Sequence, residues 1–200
     1  MAPVQVDPAR VREFVDGPSF YDWLSKHHDS EPELWIKLHK KASGLPTISP
    51  TEAIDAALCW GWIDAIRKSF DEKSFLQRYT PRGRKSVWSQ VNVENVARLV
   101  ASGRMTEHGL RHVEAAKADG RWDKAYRTRD AEFPADLLAA VEAEPAAKAT
   151  LDGLTAQNRF ALVFRLGNLK TEAGRRRKIE EFVAMLKRGE TIHPQKERKA

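Results

Sequence analysis

A well-marked helix start followed at once by two strand-like segments constrains this fold more than any other feature of the chain. Ser49-Pro50-Thr51-Glu52 is a capping box with proline at the first helical position, where a missing N–H costs nothing. A helix therefore runs through Ile54 and Leu58 to about Cys59. Trp62 to Phe70 and Ser74 to Thr80 then read as strands, and Asp71-Glu72-Lys73 closes them as a hairpin displaying Arg67, Lys68 and Arg78. A further strand is expected over Glu33 to Lys41, where Leu34, Ile36 and Leu38 alternate with Trp35, Lys37 and His39 and leave one side buried.

The remaining segments have helical spacing. Asp7-Pro8 with Val11, Phe14 and Val15 predicts a short helix stopped at Gly17-Pro18, and Ser19 caps a second with Phe20, Trp23, Leu24 and His27 on one face. Val93, Val96, Ala97 and Val100 predict a helix ending near Gly103, and Thr106 caps another that stops at Gly120. Tyr126 to Ala131 is polar and reads as a linker. Beyond it come only helical patterns: Leu137, Leu138 and Val141; Pro145 to Leu151; Phe160, Val163 and Phe164; and Ile179 to Leu186. The expected class is α+β, a small mainly antiparallel sheet with packed helices, followed by an all-helical C-terminal part. The expected division is an α+β domain at 1–126 and a helical region at 127–200, ending in a frayed basic tail from Pro194 to Ala200.

Composition narrows the function classes. With 42% hydrophobic and 31% charged residues among 200, the chain has enough apolar material for a real core. Its formal charge of +6 favours acidic partners. That charge is concentrated: seven Lys or Arg stand against two acids between Arg67 and Trp88, and nine against four between Arg175 and Ala200. Cys59 is the single cysteine, which excludes an intrachain disulfide and a Cys-rich zinc site. Met1 to Phe14 holds no apolar run suited to a signal peptide or membrane span, so the expected location is cytoplasmic.

The candidate binding residues cluster where aromatic and cationic side chains interleave. Trp60, Trp62 and Trp88 offer indole faces, and Arg67, Lys68, Arg78, Arg82 and Arg84 offer charge-assisted donors, with Asp64 and Tyr79 between them. Together they suit a pocket for an anionic or aromatic ligand, although tryptophans at strand and helix ends also complete cores. Asp64 can orient a guanidinium or act as a base. Pro81-Arg82-Gly83-Arg84-Lys85 is similar to the core of an AT-hook, with Lys85 where the closing proline belongs. Arg175 to Lys178 sits in the first turns of a helix, where the dipole disfavours cations. Glu180 and Glu181, four residues after Arg176 and Arg177, are the expected counter-charges. His108 and His112 share a helical face with no third metal ligand nearby and are expected to face solvent; Gly109 weakens that helix. Ser86 and Ser89 lack a nucleophile context. No metal or cofactor is expected.

Ala57-Leu58-Cys59-Trp60-Gly61-Trp62-Ile63-Asp64, Phe75-Leu76-Gln77-Arg78-Tyr79-Thr80-Pro81-Arg82, Trp88-Ser89, Gly103-Arg104-Met105 and Lys170-Thr171-Glu172 through Ile179 resemble the YdeI/OmpD-associated, bacteriocin-protection-type family. The resemblance runs from Glu33 to Gly189. It departs at Ala65, where the family often has glycine. It implies an α+β first part and a helical last part, but no established reaction, and the family label suggests envelope association and protection from toxic peptides. The leading expectation from the residues is a cytosolic, non-enzymatic binding or stress-protection protein of this type, holding an anionic or aromatic ligand between the Trp60–Arg67 strand and the Arg78–Trp88 segment. The alternatives from other classes are sequence-tolerant nucleic-acid binding through the basic clusters and an enzyme using Asp64.

Overall fold

The reversal at Asp71-Glu72-Lys73 builds the hairpin at the centre of the first of two compact units. The computed structural model describes residues 4–127 and 132–195 and separates into Met1–Tyr126 and Arg127–Ala200. In the first unit β1 (Val11–Arg12), β2 (Leu34–His39), β3 (Trp62–Ser69) and β4 (Ser74–Pro81) form one sheet in the order β1-β2-β4-β3. β1 runs parallel to β2, and the other pairs are antiparallel. Leu34, Ile36 and Leu38 pack with Tyr79 against α1 (Gly17–His27) and α2 (Pro50–Cys59), where Phe20, Leu24 and Ala56 complete the core.

Two expectations at the N-terminal end are corrected. Val11 and Arg12 do not continue a helix: after a single 3-10 turn at Pro8–Arg10 they pair with Trp35 and Ile36, so an edge of the sheet claims them. Helix α1 begins before Ser19, because the Asp16 carboxylate accepts the Ser19 N–H at 2.9 Å and makes Gly17-Pro18 the first turn instead of a stop. The strand β2 is also covered on both faces. Trp35 is fully buried under the Lys68 ammonium, 5.8 Å from its ring, and donates its N–H to Glu33 at 3.3 Å.

The capping box of α2 closes as expected, with Ser49 and Glu52 exchanging bonds of 2.9 and 3.2 Å. Strand β3 carries a bulge: Asp64 pairs with Tyr79 but Arg67 with Gln77, one residue more on β3 than on β4. The Gln77 amide repairs it by donating to the Ala65 carbonyl at 3.1 Å. Helices α3 (Gln90–Ala101) and α4 (Glu107–Ala118) form a second core with Cys59, Trp88, Leu99 and Val113.

The second unit is helical throughout its described residues: α5 (Ala135–Glu142), α6 (Pro145–Asp152), α7 (Ala156–Gly167) and α8 (Glu172–Lys187) bury Leu137, Val141, Leu162, Phe182 and Leu186. Its one buried polar residue among those described, Asn158, donates to the His193 carbonyl at 3.0 Å and to Gln195 at 2.8 Å and accepts the His193 N–H at 2.8 Å. The chain is thereby held as far as Gln195, one residue beyond Pro194, where fraying was expected to begin; residues 196–200 of that tail lie outside the described residues. So do 128–131 of the expected linker, whose first residue, Tyr126, instead belongs to the first unit through bonds with Trp88 and Gln90. No helix among the described residues is long and apolar enough to cross a membrane.

Candidate functional site

Helix α2 ends at Trp60, and the chain turns into β3 through Gly61, whose φ of +71° is a left-handed conformation that favours glycine. The N-terminus of α4 docks on this corner. Thr106 donates its hydroxyl to the Cys59 carbonyl at 2.5 Å, and a Cβ on Gly109 would lie 2.4 Å from the same oxygen and 2.6 Å from that of Leu58. Gly109 is thus the condition for close approach between two helices, not merely a weak point in one. The docking lays His108 and His112 over Trp60 and Gly61. From the other side comes His28, just after α1, held by the Trp62 indole N–H donating to its carbonyl at 2.9 Å. A cleft of about 420 Å³ results, lined by the three imidazoles, Trp60, Arg111 and Asp29 among others.

Hydrogen bonding inside the cleft is frustrated. His28 Nδ1 lies 3.0 Å from the Leu24 carbonyl and must carry a hydrogen to use it. His28 Nε2 is 3.0 Å from His108 Nδ1, and Arg111 Nη2 is 2.6 Å from that same nitrogen. One imidazole nitrogen cannot both donate to His28 and accept from Arg111. The rings are also crowded: the His28 and His108 centroids are 4.0 Å apart, and Trp60 stacks near both. Burial, then the charges of His28 and Arg111, lower the His108 pKa below that of a free imidazole. Burial likewise lowers His112, with Arg82, Arg111 and Arg121 adding repulsion. Asp29 is the one carboxylate lining the cleft among the described residues. The arrangement has donors in excess.

The structure brings only some of the sequence-derived residues to this place. Trp60 and Trp62 line it, but Trp62 is 1% exposed and belongs mainly to the core. Tyr79 and Trp88 are core residues at 1% and 2% exposure. Arg82 is buried on the face of Trp88, 3.8 Å from its ring centre; Nη1 donates to the Val87 carbonyl at 3.1 Å while Nη2 has no partner. Desolvation lowers its pKa to about 10. Arg78 is paired with Glu33 at 2.6 Å, and Arg67 bonds Gln77 at 2.9 Å over the Phe75 ring. Lys68 donates to the Val4 carbonyl. Arg84 stays exposed on the loop; Asp64 on β3 is exposed overall but also lines a small gap with Trp62 and Arg82, and desolvation raises its carboxyl against a backbone hydrogen bond and the pull of Arg82 and Arg67.

Alternation explains the dispersal. Arg78 lies opposite Trp35 on the sheet face turned away from Tyr79 and α1, so two neighbours in sequence serve opposite sides. The AT-hook reading is corrected for the same kind of reason, since Arg82 is inside and cannot extend beside Arg84. His108 and His112 are half-buried rather than freely exposed: they line the cleft with His28, which lies far away in sequence. A glycine inside a helical pattern was the readable signal of that close packing. No group of described residues is arranged to hold a metal ion, and burial pushes the Cys59 thiol up to about 11, which leaves it inert. On α8, Arg175 pairs with Asp136 of α5 at 2.5 and 2.9 Å, and Lys178 pairs with Glu181. The counter-charges thus come from another helix and from i+3, rather than from Glu180 and Glu181 to Arg176 and Arg177.

Comparison with known families divides the chain in the same two parts. Residues 12–112 match a domain of unknown function, DUF8412. The chain belongs to the DUF8412 family. Residues 130–189 match the family described as bacteriocin-protection, YdeI or OmpD-associated, the family that the sequence motifs resemble. That match covers the helical unit and the Lys170–Ile179 motif, whereas the Trp-Ile-Asp and Arg-Tyr-Thr-Pro-Arg motifs, and the cleft from His28 to His112, fall within the DUF8412 part. Curated proteins and solved structures gave no match.

Proposed function

We propose that the DUF8412 part is a binding module that holds a small anion in the cleft of His28, Trp60, His108, Arg111 and His112, in the service of a cytoplasmic protective role and not of catalysis. One observation carries the reading: three imidazoles and a guanidinium converge on a cavity lined by a single carboxylate among the described residues. Donors whose bonds cannot all be satisfied inside the protein are complementary to an acceptor from outside, and an anion accepts several at once. The Trp60 indole beside them suits a planar group on the same ligand. The ligand locus expected between β3 and the Arg78–Trp88 segment thereby moves to the corner of α2 and α4, with Trp60 common to both.

A thermal-shift screen of inorganic phosphate, phosphosugars, nucleotides and aromatic carboxylates tests it, because a ligand that prefers the native state raises the melting temperature. At least one anion should stabilise the protein, and Arg111→Ala should remove that shift while remaining folded. Equal shifts in the variant, or none in either protein, overturn the reading. Sequence-tolerant nucleic-acid binding is supported by Arg84 and Lys85, both exposed on one loop. It predicts a gel shift that weakens steeply with salt, and the absence of any shift at low salt removes it.

A further inference from the structure

We propose that the His28–His108 pair takes up one proton when an oxyanion enters the cleft, so that the site binds a fully ionised oxyanion together with a hydrogen ion. This rests on the anion-binding reading above and specifies its regulation.

The geometry leaves two protonation states, neither of them satisfied by the protein's own groups. With both rings neutral, His28 uses its Nδ1 hydrogen on the Leu24 carbonyl, so its bare Nε2 accepts from His108 Nδ1–H. Arg111 Nη2 then faces an N–H at 2.6 Å instead of a lone pair. With one proton added, His28 carries hydrogens on both nitrogens and donates Nε2–H to the lone pair of His108 Nδ1, which Arg111 also approaches. The bonding now agrees in sense, but an imidazolium and a guanidinium stand side by side.

The surroundings do not neutralise that charge. Facing the pair are Asp29, next to His28 in the chain, and Glu107, Arg111 and His112 on α4. Asp29 and Glu107 act on His108 less than burial, His28 and Arg111 do, which is why its pKa is held down. Arg82 and Arg121 add positive potential behind His112. An oxyanion with two or more acceptor oxygens reverses the balance, taking the outward hydrogens of Arg111 and the imidazoles and compensating the extra proton. A ligand that favours the protonated form must bind more tightly as protons become available, by linkage.

Calorimetric titration of the full chain with sulfate, which does not itself titrate in this range, tests the coupling. Measurements at pH 6, 7 and 8 in buffers of different ionisation enthalpy should give close to one proton taken up at pH 7 to 8. The Kd should weaken about tenfold per pH unit across that window. His28→Asn should lower sulfate affinity at pH 7 and take up no proton, and His193→Gln, whose imidazole is not among the residues lining the cleft, should retain the uptake. Binding without pH dependence or proton uptake, or full uptake in His28→Asn, overturns the coupling and leaves the anion site standing. No sulfate binding at pH 6 or pH 8 overturns both.

Discussion

The two units differ in how completely their buried polar groups are satisfied. In the helical unit Asn158 is interred and meets a partner at every turn, tying α7 to the segment at His193 and Gln195. In the DUF8412 part, by contrast, lie all the buried side-chain nitrogens and oxygens that lack a partner among the described residues, including Trp60 Nε1, Arg82 Nη2 and Trp88 Nε1. A satisfied buried amide fixes a fold, whereas an unpartnered donor such as the Trp60 N–H, on a residue that lines the cleft, leaves bonding capacity for something else. The helical unit is satisfied internally, and the sheet-bearing unit is where the proposed anion site lies.

The largest effect should come from the boundary between core and cleft. Trp62→Ala should cost about 3–5 kcal/mol in urea unfolding, because a fully buried indole and its bond to the His28 carbonyl are both lost. A folded variant of near wild-type stability that cannot bind ligand would make Trp62 a binding residue and redraw the comparison. Asn158→Ala should cost about 2 kcal/mol by leaving the His193 N–H without its partner and its carbonyl with the Thr191 hydroxyl alone. Arg82→Met should change stability by less than about 1 kcal/mol, since a desolvated guanidinium with one unpartnered nitrogen gives little that a buried apolar chain cannot. Were Asn158→Ala harmless and Arg82→Met severe, the contrast between the units would be wrong.

The smallest effect is a pH dependence. His108 and His112 have pKa values below 6.5 in the folded protein, so an unfolded chain takes up protons that the fold resists. Stability from this source is complete above pH 6.5 and falls as pH drops below it. The urea midpoint should therefore decline between pH 7 and 5.5, before the carboxylates protonate, and added sulfate should reduce the decline. An unchanged midpoint over that interval would mean that the imidazoles are relieved by partners other than a ligand.

Much of the fold was legible because its signals are local. The Ser49–Glu52 capping box, the hairpin around Asp71-Glu72-Lys73, the Thr106 cap and the helical periodicities after Phe133 each involve residues a few positions apart. Where the reading failed, at Val11 to Val15 and at Ser19, a tertiary demand intervened: pairing with β2 and a cap from Asp16. The site was legible only in part. Trp60 was found, but Trp62, Tyr79, Trp88 and Arg82 went to the interior, and His28 carried no mark at all.

By itself the sequence determined most of the helical and strand segments, the presence of a hairpin rich in cations, and the resemblance of the helical part to its family. Those properties depend on neighbours along the chain, where capping bonds and side-chain period act. Only the tertiary structure decided that α4 closes on the end of α2 across Gly109, bringing His28, His108 and Arg111 to one nitrogen. That contact depends on a missing Cβ and on residues some eighty positions apart, and no local pattern encodes how they meet.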